Sequence, residues 1–263
     1  MQNSFRLLCS FCIGFILINL FMNEIFAETG FESEPSLINS YEEDITGDGF
    51  REYLKLHGNL LSNQSVYYPE VWLDITNPFS QHWKISLQAG YHPDIQFIDL
   101  DHDNVFDIFY IVGKDAEKRK YHYQLYTLKN GTIEQIQLPK HKFVQTKLMN
   151  EFKIEIKTNP HEKSIIHSIE DKNKYIEDEI YDKNGKLLLV EKKLQHKPIH
   201  FMEPVLISET NGYGLKTYEQ IIGVFDEPIG EIQTLWYFNN DEWIALKTDW
   251  VTEQINLETN NGD

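Results

Sequence analysis

Two nine-residue segments constrain this chain more than anything else in it. Asp44-Ile-Thr46-Gly-Asp48-Gly-Phe50-Arg-Glu52 is matched by Asp99-Leu-Asp101-His-Asp103-Asn-Val105-Phe-Asp107, which starts 55 residues later. Each places an oxygen-bearing side chain at positions 1, 3, 5 and 9, and Gly or Asn at position 6, where the backbone must turn. Each then enters a short run rich in β-formers, Tyr53-Leu-Lys-Leu56 or Ile108-Phe-Tyr-Ile-Val112. A tight acidic turn that feeds a strand, used twice at a fixed interval, requires a repeated β architecture.

The donor pattern points to a hard cation. Ca²⁺ takes six to eight oxygens, and alternate side chains of a tight loop with one backbone carbonyl can supply them. The expected donors are Asp99, Asp101, Asp103, Asp107 and the Val105 carbonyl in the second loop. In the first they are Asp44, Thr46, Asp48, Glu52 and the Phe50 carbonyl. An EF-hand would close with Glu at position 12 and continue as a helix, whereas Lys55 and Tyr110 stand there. Four clustered carboxylates repel one another, so the second loop is expected to bind a structural Ca²⁺ more firmly than the first, where a hydroxyl replaces one charge.

The pattern Asp-x-Asp-x-Asp-Gly-x-x-Asp followed by a strand resembles the calcium loops of VCBS and FG-GAP repeats. That resemblance implies structural Ca²⁺ at the loop carboxylates and a β-propeller-like setting. It covers the two loops and their strands, and the chain departs from it at Thr46 and in lacking a Phe-Gly or Gly-Ala-Pro motif. A decayed third copy aligns Glu209, Asn211, Tyr213 and Thr217 with positions 1, 3, 5 and 9, two periods beyond the second loop, and is expected to bind no metal. A missing copy falls near Ile154. The implied fold is all-β, built of repeated antiparallel sheets in about four blades, with a two-sheet sandwich as the alternative.

The rest of the chain agrees with strands and turns. Tyr121–Leu128 and Thr132–Leu138 flank Asn130-Gly131, the dipeptide a primed hairpin turn needs. Similar punctuation recurs at Asn184-Gly185 and Asn239-Asn240. Glu170–Lys174 reads as an exposed charged loop, and no window supports a sustained amphipathic helix after the N-terminal segment.

Residues Leu7 to Phe21 form an apolar run preceded by Arg6 and followed by Ile25-Phe26-Ala27 and an acidic stretch. This predicts a secretory signal peptide over 1–27, and a retained membrane anchor is the alternative. A flexible lead over 28–40, one all-β repeat domain over 41–258 and a tail over 259–263 complete the expected layout. Cys9 and Cys12 both lie in the signal, so the exported chain would have no disulfides. Localisation is expected to be secreted or cell-surface.

Lys plus Arg number 24 against 41 Asp plus Glu, a net charge of −17. A surplus of this size disfavours nucleic acid and anionic membrane and recommends cations or a basic partner. Catalytic patterns are thin. Pro198 prevents His196-Lys-Pro-Ile-His200 from forming a helical His pair, which leaves it as a surface loop. The aromatics Trp236, Tyr237, Phe238, Trp243 and Trp250 could form a sugar or peptide platform, or be cross-strand packing. Two functions remain open. One is a non-enzymatic, monomeric calcium-binding module with a protein or glycan partner. The other is an extracellular hydrolase of glycans or phosphate esters with its site at a propeller centre.

Overall fold

The computed structural model describes residues 35–62, 65–115, 120–140, 143–189 and 194–252. The expected signal over 1–27, most of the lead and the tail over 259–263 lie outside the described residues. From Pro35 onward the chain forms one compact unit. Its last lead residues are ordered into a strand, because β1 already begins at Ser36.

The architecture is all-β and antiparallel. Sheet one runs β1 (Ser36–Glu43), β2 (Glu52–Asn59), β4 (Glu70–Thr76) and β5 (His82–Leu87), in that spatial order. Sheet two is β3 (Tyr67–Tyr68), β6 (Gly90–Ile98), β7 (Asp107–Asp115), β8 (Lys120–Lys129) and β9 (Thr132–Ile136). Sheet three is β10 (Gln145–Met149), β11 (Lys153–Lys157) and β12 (Ile165–Ser168). Sheet four is β13 (Gln195–Ser208), β14 (Gly212–Ile222), β15 (Pro228–Asn239) and β16 (Glu242–Val251). Apart from β3, each sheet is a simple up-and-down meander.

Period-two patterning explains how the sheets stack. In β2, Leu54 and Leu56 alternate with exposed Tyr53 and Lys55, and they join Val71, Leu73 and Ile75 against Ile108, Tyr110 and Val112 of β7. The unbroken apolar run of β7 reflects burial on both faces. Phe109 points the other way, into a second core with Leu125 of β8 and with Leu215 and Trp236 of sheet four. A third core joins sheet three to Ile221 and Ile232 of sheet four.

Local chemistry sets the turns. Asn130 and Gly131 both have positive φ, 51° and 76°, as the primed hairpin between β8 and β9 demands. Among the described residues there is one helix, α1 (Lys172–Glu177), where an exposed loop is expected. Asp171 caps it by accepting from the Lys174 N–H, and Tyr175 anchors it in the third core. The decayed third copy does not keep its frame. β13 and β14 are joined by a turn of only Glu209, Thr210 and Asn211, and both Tyr213 and Thr217 lie inside β14. Ile154 is likewise inside β11.

Candidate metal centre

Both acidic loops occupy the connection between the first two strands of a meander, β1 to β2 and β6 to β7. They share one hydrogen-bond frame. The position-1 carboxylate accepts the N–H of position 6, Gly49 to Asp44 (2.9 Å) and Asn104 to Asp99 (3.1 Å). The position-5 carboxylate accepts the N–H of position 7, Phe50 to Asp48 (2.8 Å) and Val105 to Asp103 (2.9 Å). The closing acid accepts the N–H of position 2, Ile45 to Glu52 (2.9 Å) and Leu100 to Asp107 (2.8 Å). Positions 4 and 6 have positive φ in both loops, at Gly47, Gly49, His102 and Asn104. Asn tolerates this conformation better than most side chains, and Gly pays nothing for it sterically.

The loops differ in what is left over. In the second, Asp99, Asp101 and Asp107 bring one oxygen each within 4.8 Å of one another. Asp107 is fully buried, and its Oδ1, like Asp99 Oδ1, accepts no hydrogen bond of good geometry. The Thr127 hydroxyl is near enough to favour the charged form of Asp107, yet burial dominates and, with the Asp101 charge, pushes its pKa up to about 7. Burial and then the Asp103 charge push Asp101 up as well. Buried, unsatisfied carboxylate oxygens are rare in folded proteins and mark a place for water or an ion. Three hard anionic donors that repel one another fit Ca²⁺ in kind and spacing.

Asp103 does not join this group. Its Oδ1 is held by Val105, and its Oδ2 lies 3.6 Å from Lys129 Nζ, at the end of β8. The expected four-carboxylate set is therefore a set of three, because a cation from a neighbouring strand draws the fourth away. Lys129 carries no sequence signal for this role, since only the pairing of β7 with β8 places it there. Val105 is positioned by its N–H bond, and its side chain sits over Gly47 of the first loop, where an added Cβ would lie 2.6 Å from Val105 Cγ2.

The first loop spends its oxygens on itself. Asp44 accepts from Gly47 and Gly49 with its two oxygens, and Glu52 accepts from Ile45 and from the Thr46 hydroxyl (3.2 Å). Asp44, Asp48 and Glu52 do not bring three ligand atoms as close together as the second loop does. Glu52 is buried, which pushes its pKa up. Phe50 is exposed and packs edge-on against Phe79.

The loops line up along one end of the fold. Gly47 meets Val105, while His102 stacks on Tyr237 of β15 at 4.3 Å and abuts Gly212 at the start of β14. His196 and His200 are in β13, on either side of a bulge, where a surface loop is expected. His196 pairs with buried Glu219, and His200 Nε2 lies 3.5 Å from Glu231. The C-terminal aromatics are largely packing, with Trp236 in the second core and Phe238 edge-on to Trp243 across the hairpin.

A family model described as the YybI C-terminal domain matches residues 141–251. That segment holds sheets three and four, and both acidic loops lie before it. No curated protein matches the chain. Two solved structures resemble it loosely. The Bacillus licheniformis rhamnogalacturonan lyase PL11 has 14% identity over 82% of this chain and 34% of that one, with a TM-score of 0.34. The rhamnogalacturonan lyase YesW has 13% identity over 84% of this chain and 35% of that one, also with a TM-score of 0.34. The chain thus spans about a third of the length of these enzymes, and likeness at this level carries no functional argument.

Proposed function

We propose that this protein is an exported calcium-binding module whose second acidic loop holds a structural Ca²⁺ through Asp99, Asp101 and Asp107. The observation that carries this reading is the convergence of three carboxylates with two buried oxygens that accept no hydrogen bond. The shared hydrogen-bond frame of the two loops supports their kinship with VCBS and FG-GAP calcium loops. The first loop is a weaker site, because Asp44 and Glu52 must give up backbone partners before they can ligate. Asp103 joins the ligand set only if it leaves Lys129.

Four meanders in chain order, with the acidic connections of the first two at equivalent places, support a propeller-like repeat. Calcium clamps the β6–β7 connection, compensating for the absence of disulfides in the exported chain. The acidic charge, the apolar N-terminal run and its Ala27 boundary support export and a secreted or cell-surface location. A binding role is favoured over hydrolysis by one cleft of the fold, whose carboxylates Glu162, Asp241 and Glu242 are exposed and which no His lines among the described residues. Buried acid and base groups would be needed there to tune pKa values for catalysis.

Isothermal calorimetry with CaCl₂ on chelator-stripped protein tests the reading. It expects one dominant site that Asp101→Asn abolishes, and heat-silent titration at millimolar calcium would refute it.

A further inference from the structure

The two edges of sheet four are built differently. β13, on one side, carries Pro198 and Pro204 and a bulge between Lys197 and Phe201, all of which blunt an edge against pairing. β16, on the other side, is ten residues long, has no Pro, and pairs only with β15 among the described residues, with one register shift that leaves Leu246 as the extra residue. Most of β16 is exposed, including Ile244 at 44% and Leu246 at 50%. An edge strand leaves alternate N–H and C=O groups unpaired, and soluble proteins ordinarily protect such a row with Pro, inward charges, bulges or a short strand. Of the edges of the other sheets, β3, β5, β9, β10 and β12 have two, six, five, five and four residues, and the eight-residue β1 carries a register shift between Leu37 and Asn39.

A cleft of about 590 Å³ lies along this strand, walled by the segment after β9, the turn between β11 and β12, and β16 itself. Leu138, Phe143, Trp243 and Leu246 supply its apolar lining, and Asp241 and Glu242 stand at the mouth with Glu162. Two lysines also line it, Lys140 and Lys247, and Lys247 is paired with Asp249 at 2.7 Å, so the three acids outnumber the cations. The Trp243 indole is fixed by donating to the Gln137 carbonyl at 2.7 Å, so this wall is preformed. The volume is in the range of binding sites for single large side chains or small ligands.

We propose that β16 and this cleft form a strand-addition site for an extended, basic segment of another protein. The segment pairs with the free edge of β16, inserts an apolar side chain beside Trp243 and Leu246, and meets the acidic mouth with Lys or Arg. Main-chain bonds give affinity and the alternate side chains give selectivity, as in other strand-addition complexes. Charge selects the occupant: a chain of net charge −17 repels a second copy and attracts a basic partner. The proposal goes beyond the calcium reading and rests only on the view that this cleft binds rather than catalyses.

The test uses the full chain, calcium present, and three peptides of ten residues. One alternates Val and Lys, one is the same sequence N-methylated at every second residue, and one alternates Val and Glu. Calorimetry is expected to give half-saturation below roughly 1 mM for the first and at least about tenfold weaker binding for the other two. Leu246→Lys, a change on an exposed side chain, is expected to weaken the first peptide about tenfold while leaving the thermal midpoint and the calcium titration unchanged. Equal binding of the methylated peptide would show mere charge adhesion and overturn the proposal. So would absence of binding, a dimer in sedimentation that Leu246→Lys dissociates, or binding that appears only when residues 253–263 are deleted. Because calcium binding is read separately on Leu246→Lys, failure here is distinguishable from failure of the metal site.

Discussion

Replacing Asp107 with Asn isolates the central charge of the second loop. Asp107 is fully buried, takes N–H bonds from Leu100 and Asp101, and has its pKa raised from 3.8 to about 7 by burial and by Asp101. A carboxyl whose folded pKa is raised binds its proton more tightly folded than unfolded. Stability therefore falls as pH rises through the window from about 4 to 7. A shift of about three pKa units corresponds to roughly 4 kcal/mol as an upper figure, lost by pH 7.5 when calcium is removed. On the proposed calcium binding, calcium at a hundred times its Kd restores about 2.7 kcal/mol. Asn keeps a carbonyl oxygen for the Leu100 and Asp101 N–H groups and removes the charge. Asp107→Asn in chelator should therefore be more stable than the wild type at pH 7.5, equal to it near pH 4, and indifferent to calcium. Urea unfolding followed by tryptophan fluorescence, with EGTA or CaCl₂ at each pH, reads all three quantities. A variant less stable than wild type in chelator at pH 7.5, or one that still gains stability from calcium, would refute the electrostatic account.

Other expectations are briefer. Asp103→Ala should cost less of the calcium-induced rise in thermal midpoint than Asp101→Ala, because Asp103 is turned toward Lys129. Gly47→Ala and Gly49→Ala each place a Cβ at positive φ, at a cost of about 1–2 kcal/mol in urea unfolding. Gly47→Ala should cost more, since its Cβ meets Val105, and Val105→Ala should rescue it but not Gly49→Ala. Burial lowers the pKa of His200 despite Glu231, so the unfolded chain takes up its proton first and stability falls below the ordinary imidazole pKa of about 6.5. His200→Gln should flatten that acid-side loss in pH-dependent unfolding. N-terminal sequencing of protein exported by its native host should begin at Glu28, and recovery of a chain starting at Met1 in the membrane fraction would contradict signal cleavage.

Features set by hydrogen bonds and backbone angles within a few residues were legible in the amino-acid sequence. Asp44 and Asp99 reach N–H groups five residues ahead, Asn130 and Gly131 adopt their turn without help, and the alternation of β2 declares its inner face. Each of these depends on near neighbours in the chain, so spacing alone specifies it. The all-β class, the two equivalent loops and their feeding of strands followed directly.

What tertiary structure decided was which oxygens remain unspent and what they face. Two loops with nearly the same pattern differ because Lys129, a residue of β8, removes Asp103 from one set, while Thr46, Ile45, Gly47 and Gly49 occupy Glu52 and Asp44 in the other. His196 and His200 pair with Glu219 and Glu231 only because β13, β14 and β15 lie side by side. The third copy disappears because a three-residue turn between β13 and β14 leaves no room for nine. Burial and charge partners come from strands distant in sequence, and desolvation, which no local spacing encodes, is what raises the Asp107 carboxyl and leaves one of its oxygens without a hydrogen bond of good geometry.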